Sequence, residues 1–386
     1  MMIKACAITD KGIEKITLLE LDETIKAKGK ADECVVVFEC KDYDSLLKFC
    51  YSSQSIDRAL VLFASFDFSS EKDLLSKSEA ALKSISLEEW LDKGTSLKVF
   101  CERRGEHQFG SQNIEEEIGE QALKVSKQQL GFTPAVSMES PDTILYVFIN
   151  ANKAYIGIDL IGRDLSKRKY RIFSAPGIIN AKLAYALVRL SNYSKKEKTI
   201  DLFCKAVVVC IEAALYVSSR SINHYSKDFA FKKLKPFIKK DLEAFFKEID
   251  EKSKLKELDI TGLDPMLRNI EASKRNAKLA GIDKLINFSR MDTEWLDTKI
   301  DKGSVGSIIS KVPCPSKHAK ESDIRKLYKE LFYQAEFVMK KKGRLALLGE
   351  SLALFKSMIT PGFKLVKEDE LWAGKQRYEF VMIEKS

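Results

Sequence analysis

The residues of this chain that could do chemistry are few and widely spaced. Cys204 stands beside Lys205 in TIDLFCKAVVVCIEAA (199–214), and a neighbouring ammonium can lower a thiol pKa enough to make a nucleophile. The three histidines, His107, His224 and His318, are far apart and lack neighbours at the spacing of a catalytic triad or a metal site. We therefore expect no histidine chemistry and leave Cys204 open, as a nucleophile or as an ordinary loop cysteine.

The other cysteines indicate the class of protein. There are eight in all, scattered along the chain without a Cys-x-x-Cys pair, which favours a reduced, metal-free cytoplasmic protein. No charged and apolar leader opens the chain. The longest apolar run, 206–217, is interrupted by Glu212 and too short to cross a bilayer. A length of 386 residues predicts at least two domains.

Charge is divided unevenly between the two halves of the chain. Residues 1–165 contain 20 Lys and Arg against 28 Asp and Glu, a net charge of −8. Residues 166–386 contain 45 basic and 28 acidic residues, a net charge of +17. A cationic half of this size favours a polyanionic partner, and nucleic acid is the usual one. A lysine-rich solvated surface is the alternative.

The order of predicted elements changes near residue 165. Before it, strands are predicted at 34–40, 59–66, 143–150 and 153–162, with a strand, a polar turn and a helix over 96–125. A basic connector with one amphipathic helix follows over 166–198. From residue 199, strands alternate with helices at the spacing of a doubly wound, mostly parallel sheet. A basic insertion, 220–256, interrupts this alternation.

Three segments together resemble one family. They are IGIDLIGRDLSKRKYRIFSAP (156–176), KVFCERRGEHQFGSQNIEEEIGEQA (98–122) and DFAFKKLKPF (228–237). The chain resembles THUMP-domain class I methyltransferases that modify guanine N2 of RNA, both the archaeal tRNA enzymes and their bacterial 23S rRNA relatives. The resemblance implies an α/β fold in three parts: a ferredoxin-like plus THUMP RNA-binding module (1–165), a basic linker with a helix (166–198) and a Rossmann-like class I methyltransferase domain (199–386).

The resemblance also implies a cofactor, S-adenosylmethionine, and no metal. The positions that match the family's cofactor residues are Asp201, Cys204, Asp264 and Asp292. In the family, the acid at Asp264 holds the ribose hydroxyls with charge-assisted hydrogen bonds. The alternative for each carboxylate is a structural one, because acids at strand ends often cap the next helix. Since intact family members also carry the loop cysteine, the resemblance favours an ordinary role for Cys204.

Two motifs depart from the family. Glycines of the cofactor loop are replaced by Lys205 and Val207, whose side chains would enter space needed by the cofactor. The catalytic Asn/Asp-Pro-Pro-Tyr/Phe motif reads KVPCP (311–315), so that the degenerate catalytic positions are Lys311, Pro313 and Cys314. Lysine offers no acceptor for the guanine amine, and cysteine offers no ring for base stacking. We expect impaired cofactor binding and catalysis.

The main hypothesis is therefore a cytoplasmic protein that binds RNA, in particular tRNA, without a working donor site. The residues expected to contact RNA are Lys98, Arg103, Arg104, Lys167, Arg168, Lys169, Arg171, Lys232, Lys233 and Lys235. One alternative is an active, divergent S-adenosylmethionine-dependent tRNA (guanine-N2-)-methyltransferase. Another is a scaffold that regulates an active paralogue. No membrane contact is expected.

Overall fold

The first sheet of the protein has eight strands. The computed structural model describes residues 2–386, and this sheet takes up 3–159. Its strands are β1 (Ile3–Ile8), β2 (Gly29–Asp32), β3 (Val35–Cys40), β4 (Arg58–Asp67), β5 (Ser96–Arg104), β6 (Ala135–Val136), β7 (Thr143–Asn150) and β8 (Lys153–Asp159). They lie in the order β2-β3-β1-β4-β8-β7-β5-β6, with β5 parallel to β7. The four strands predicted between 34 and 162 are confirmed.

Four helices accompany this sheet. They are α1 (Glu14–Ile25), α2 (Tyr43–Ser52), α3 (Glu71–Ser84) and α4 (Ser111–Leu130). The helix predicted after the polar turn is confirmed as α4, which buries Ile114, Ile118 and Ala122 at helical spacing. Because α4 follows β5 directly, the basic strand-turn-helix of the sequence lies at one end of the sheet.

The second sheet has seven strands, and its sheet residues run from 199 to 385. The elements are α5 (Ala181–Leu190), β9 (Thr199–Asp201), α6 (Val208–Ser218), α7 (Leu242–Asp250), β10 (Ile260–Asp264), α8 (Leu267–Ala280), β11 (Ile286–Arg290), α9 (Leu296–Lys299), β12 (Val305–Lys311), α10 (Glu321–Val338), β13 (Met339–Gly349), α11 (Ala353–Ser357), β14 (Phe363–Ala373) and β15 (Gln376–Lys385). Their order, β11-β10-β9-β12-β13-β15-β14, is parallel except at β15 and confirms the doubly wound prediction.

The basic insertion packs against the first sheet. Phe229, Phe231 and Phe246 are buried in the same hydrophobic core as strands β3 and β7. Two of its lysines pair with the N-terminal module, Lys235 with Asp92 at 2.7 Å and Lys240 with Asp44 at 2.8 Å. The insertion therefore connects the second sheet to the N-terminal module through apolar packing and ion pairs. The domain boundaries at 165 and 199 stay a prediction, because packing crosses them.

A buried polar network joins the two modules through Arg168. Its Nε lies 2.9 Å from Glu212 Oε1 on α6, and its Nη2 donates to the carbonyl of Gln54 at 2.6 Å. Tyr170 donates to the same Glu212 oxygen at 2.6 Å. Glu212 has no exposed surface. Buried charges are tolerated only when they are paired in this way, so the network specifies how the modules meet.

A second network lies around Lys182 on α5. This lysine has no exposed surface, and its ammonium lies 2.9 Å from Asp10 and 2.5 Å from Asp57 of the N-terminal module. Arg104 approaches the same two carboxylates at 3.5 and 3.4 Å.

Among the helices of residues 2–386, none combines the length and apolar character that a membrane span requires.

Candidate functional site

The loop between β9 and α6 forms a strained turn at the two positions where the family has glycine. Lys205 has a φ of 46° and Val207 a φ of 63°, both in the left-handed region. A β-branched residue in this region is an outlier that costs about 1–3 kcal/mol. Val207 has no exposed surface, and a Cβ built on Gly262 would lie 3.2 Å from its Cγ2. The valine side chain therefore fills the space beside β10.

Two lysines hold the connector over this loop. The Lys205 ammonium donates to the carbonyl of Pro176 at 2.9 Å, and the Lys311 ammonium donates to that of Gly177 at 3.3 Å. Lys311 also pairs with Glu350 at 2.6 Å. The cavity left between the connector and the loop is about 20 Å³. A cavity of this size has room for about one water molecule.

Asp264 holds the turn before α8 and the donor loop together in this structure. Its Oδ2 accepts a hydrogen bond from the Lys205 backbone N–H at 3.0 Å. Its Oδ1 accepts from the Met266 N–H and from the side-chain amide of Asn269, both at 2.9 Å. The contacts are structural, but no side chain caps the first turn of α8, so the capping alternative in its strict form does not describe them. Asp292 is exposed, and its carboxylate makes no hydrogen bond or ion pair within residues 2–386.

Asp201 is directed into the protein. The residue is buried, and its Oδ1 accepts from the Ser310 hydroxyl at 2.5 Å and from the Phe203 N–H at 3.3 Å. Burial disfavours the charged carboxylate and raises the pKa of Asp201 to about 7, above its ordinary value of 3.8. Asp201 and Ser310 therefore tie β9 to β12 at the carboxyl ends of the strands.

We expect this carboxyl group to make stability fall as pH rises. Between about pH 4 and pH 7 the folded protein keeps a proton on Asp201 that the unfolded chain releases, so the free energy of unfolding decreases through this window. The full effect of a shift from 3.8 to about 7 is at most about 4 kcal/mol. Urea unfolding of Asp201→Asn at pH 5 and pH 8 should show a smaller pH dependence than the wild type. Equal dependence in both proteins would contradict this assignment.

The residues at the degenerate catalytic positions point in different directions. Lys311 ends β12 and is bound to the connector and to Glu350, as described above. Cys314 is buried, and Tyr328 donates to the carbonyl of Pro313 at 2.6 Å while approaching Cys314 Sγ at 3.9 Å. Burial raises the pKa of the Cys314 thiol. A thiol held in the core beside a tyrosine cannot replace an aromatic ring on a target base.

Cys204 is an ordinary buried cysteine. Burial is the largest effect on its thiol and raises the pKa well above the usual 9.0, so the neighbouring Lys205 does not activate it. Its Sγ lies 3.8 Å from the Ser273 hydroxyl. The nucleophile alternative is therefore wrong. No group of three or more His, Cys, Asp or Glu within residues 2–386 is arranged to hold a metal ion.

The donor loop, as it is closed in this structure, does not fit the part of S-adenosylmethionine that would lie against it, if the chain uses the cofactor that the family resemblance implies. Pockets for such ligands measure roughly 300–1,000 Å³, far more than the cavity beside Lys205. The side chain of Val207 and the 176–177 segment occupy the space that glycine would leave open.

A larger cleft of about 520 Å³ lies between the modules. It brings together three residues of the predicted RNA-binding set, Arg103, Arg104 and Lys167. Of these, Lys167 is exposed and unpaired within residues 2–386, whereas Arg104 is shared among carboxylates. The cleft also contains a stacked aromatic pair, Phe100 and Tyr146, with ring centroids 5.2 Å apart. Tyr146 is only 1% exposed and donates to Glu102 at 2.6 Å, so this pair supports the wall of the cleft and its tyrosine ring cannot receive a base.

Sequence reasoning missed Arg58, which lines the same cleft. Its guanidinium pairs with the buried Asp159 and lies 4.7 Å from the Tyr146 ring centroid. A lone arginine at the start of a strand carries no signal of this kind. The direction of the Arg58 side chain follows from the alternation of side chains along β4. That alternation can be assigned to the two faces of the sheet only once β4 is seen to pair with β8.

One predicted RNA contact is wrong. Arg168 is 5% exposed, and its donors are used by Glu212, Gln54 and the carbonyl of Leu165. A guanidinium that is buried and fully paired cannot reach phosphate. The neighbouring Lys167 and Lys169 are exposed, because successive residues of this turn face opposite ways.

The remaining predicted RNA contacts lie outside the cleft. Lys98 donates to the carbonyl of Met138 at 3.0 Å, and Arg171 is half-buried in the connector. The insertion lysines contact protein: Lys232 pairs with Glu243 at 3.3 Å, and Lys233 donates to the Ser140 hydroxyl at 2.7 Å. Lys235 likewise contacts protein, with Asp92 as its partner. Their roles toward RNA stay a prediction.

Comparison with known families decides the lineage. Residues 168–374, more than half of the chain, match the family described as RMKL-like, methyltransferase domain. The chain belongs to this family. Residues 77–159 of this RMKL-like protein match the THUMP domain. The family resemblance and the fold class predicted from the sequence are both confirmed.

Similar proteins extend along nearly the whole RMKL-like chain. A Methanocaldococcus jannaschii protein named tRNA (guanine(6)-N2)-methyltransferase is 28% identical over 93% of this chain and 93% of its own length. An Archaeoglobus fulgidus protein of the same name is 26% identical over 90% and 83%. The fold is also that of SMU.472, a methyltransferase-type protein solved in complex with SAH, with a TM-score of 0.82, 20% identity and coverage of 99% and 97%.

Proposed function

We propose that this RMKL-like protein binds tRNA without transferring a methyl group. The observation that carries the proposal is the closed donor loop, where Lys205 and Lys311 hold the 176–177 segment over a cavity of about 20 Å³. The proposal also draws on the sequence at the catalytic position, where Lys311 offers donors and no acceptor for a guanine amine. The closed donor loop disfavours binding of the methyl donor, and Lys311 disfavours transfer of the methyl group. Neither feature alters the rest of the fold.

The tRNA part of the proposal is supported by charge and by relatives. The two archaeal relatives are named for tRNA, and the chain has the same THUMP domain at 77–159. The C-terminal part of the chain carries a net charge of +17, and the interdomain cleft presents Arg103 and the exposed Lys167. A cytoplasmic location belongs to the same proposal, because it follows from a tRNA partner.

An active tRNA (guanine-N2-)-methyltransferase is the second candidate. The similarity to enzymes of that name extends over 93% of the chain and favours activity more than it favours loss of activity. The proposed loss of methyl transfer is supported only by the residues and contacts of this chain, and not by its relatives. For the enzyme to work, the connector would have to leave Lys205 and Lys311, and the turn at Val207 would have to change conformation.

Calorimetric titration with S-adenosylmethionine separates the two candidates. The tRNA-binding proposal predicts no binding heat at ligand concentrations up to the millimolar range, because the donor space is filled. Binding in the micromolar range would support the enzyme. The same protein sample should slow the migration of tRNA in a gel-shift assay. This result would show that the protein is folded and able to bind RNA.

A double substitution in the cleft tests the RNA surface. Arg103→Glu with Lys167→Glu should weaken tRNA binding at least about tenfold and reduce the salt dependence of binding by about two counterions, because each residue is expected to neutralise one phosphate. Fluorescence anisotropy with labelled tRNA at several salt concentrations measures both quantities.

The matched control is Lys93→Glu with Lys124→Glu. These two lysines are exposed on the same module, outside the cleft, and make no ion pair within residues 2–386. The control makes the same change in net charge, so a purely non-specific charge effect would weaken both double variants equally. Equal loss would contradict the assignment of the cleft.

A further inference from the structure

A second groove of the N-terminal module lies away from the interdomain cleft. It measures about 480 Å³ and is formed by α4, the start of β5 and the segment that contains β6. Its floor is apolar, because Leu97 and Val99 of β5 are buried beneath it. Its outer wall is apolar as well: Val136 is 61% exposed and Met138 is 60% exposed. Neighbouring exposed apolar side chains of this size are typical of interaction sites.

Gly119 keeps this groove open. It lies in the middle of α4, where glycine costs about 1 kcal/mol relative to alanine. Packing does not require it, since a Cβ at this position would meet only Val99 Cγ2, at an ordinary contact distance of 3.9 Å. Its φ is not in the left-handed region either. The glycine therefore costs stability and leaves space in the groove.

The rim of the groove is acidic. Glu116 and Glu120 are exposed, one helical turn apart on α4, and neither forms an ion pair within residues 2–386. Two like charges at this spacing repel each other unless a partner neutralises them. An acidic rim also repels the phosphates of RNA, so this face is not part of the tRNA surface.

The edge of the sheet beside the groove is open. Strand β6 covers only Ser96 and Leu97 of β5, and no strand in the described part of the chain pairs with that edge from Lys98 to Arg104. Within this stretch the Cys101 N–H is already bound, because it donates to Glu115 Oε1 at 2.8 Å. An unpaired edge can accept an added strand through backbone hydrogen bonds, with alternate side chains entering a neighbouring groove.

We propose that the groove between α4 and β5 binds an extended segment of a partner protein that carries apolar residues and lysine or arginine on one face, two residues apart. The apolar side chains enter between Gly119 and Met138, and the cations pair with Glu116 and Glu120. The backbone of the segment lies along the open edge of β5. The proposal concerns a surface separate from the donor loop and the RNA cleft, so it does not depend on the proposed function.

A peptide of ten residues in which leucine and lysine take turns at every second position, with serine between them, serves as the probe, and a peptide with glutamate in place of lysine is its counterpart. Fluorescence anisotropy with the full-length protein should show binding of the basic peptide only. Gly119→Leu fills the groove, and Glu116→Lys with Glu120→Lys reverses the rim. Each change should weaken binding at least about tenfold. Leucine is a good helix former, so α4 should persist, which circular dichroism checks.

Two controls make the test specific. Gly119→Ala adds a methyl group that the groove can hold and should leave peptide affinity within about twofold. Glu88→Lys with Glu89→Lys reverses two exposed glutamates elsewhere on the module and should do the same. Absence of basic peptide binding, equal binding of the acidic peptide, or equal loss in the Glu88 and Glu89 control would overturn the proposal. Self-association of the wild type that Gly119→Leu abolishes in sedimentation experiments would also overturn it, because the occupant would then be a second copy.

Discussion

Replacing Arg168 with alanine should lower the free energy of unfolding by about 3–5 kcal/mol, the cost typical of breaking a buried ion pair by removing one partner. The loss arises because Glu212 would remain without its cationic partner. Glu212 has no exposed surface, and without the guanidinium its carboxylate would be a buried charge. Tyr170 and Gln54 still donate to Glu212, so we expect the lower end of this range. Urea unfolding followed by circular dichroism measures the loss.

The neighbouring Lys169→Ala is the matched control. Lys169 is exposed and has no ion pair within residues 2–386, so its removal should change the free energy of unfolding by less than about 0.5 kcal/mol. Under conditions in which both variants are folded, tRNA affinity should depend on Lys169 and not on Arg168. A loss of affinity in Arg168→Ala without a loss of stability would contradict the structural role.

This contrast shows where sequence reasoning reaches its limit. SKRKYR reads as a uniform basic run, and a run of cations is normally solvated. What separates Arg168 from its neighbours is Glu212, which lies 44 residues later on α6 and reaches it only after the modules have met. The strands and helices were predictable because their signals are periodic and local. The buried ion pairs were not, since each depends on contacts between distant segments.

The insertion gives a second example. Its lysines dominate the composition and predict a solvated, RNA-binding surface. The five phenylalanines at 229, 231, 237, 245 and 246 carry the opposite signal, because aromatic residues at this density must bury surface. In the structure they join the N-terminal core, and the lysines pair with acids of that module. Part of the negative charge of residues 1–165 is therefore matched by the insertion.

The donor loop was more predictable than its surroundings. Lys205 and Val207 could be recognised as obstacles from their residue types, because glycine is needed wherever backbone must approach a ligand closely. The contact of both lysines with the 176–177 segment could not be recognised, since nothing in the local sequence indicates which carbonyls a lysine will reach. The closed cavity is thus a finding of the structure, and the obstructed loop is a prediction from the sequence.

Reopening the donor site is the prediction with the largest expected effect on binding. The triple variant Lys205→Gly, Val207→Gly and Lys311→Asn removes two side chains from the donor loop and both ammonium groups that hold the connector. Relief of two clashes of about 1–3 kcal/mol each should tighten binding of S-adenosylhomocysteine at least about 30-fold. Calorimetry should then detect binding that the wild type lacks. Circular dichroism must confirm folding, because Val207 is also a buried apolar residue.

The comparison with alanine separates the two causes of closure. Lys205→Ala, Val207→Ala and Lys311→Asn removes the same bulk and charge but keeps a Cβ at two positive φ angles. Because the family's glycines serve backbone approach, this variant should gain much less affinity than the glycine variant. Equal gains would mean that side-chain volume alone closes the site. Tight binding by the wild type would mean that the connector opens by itself, and the chain would then be a methyltransferase whose closed state is the one described above.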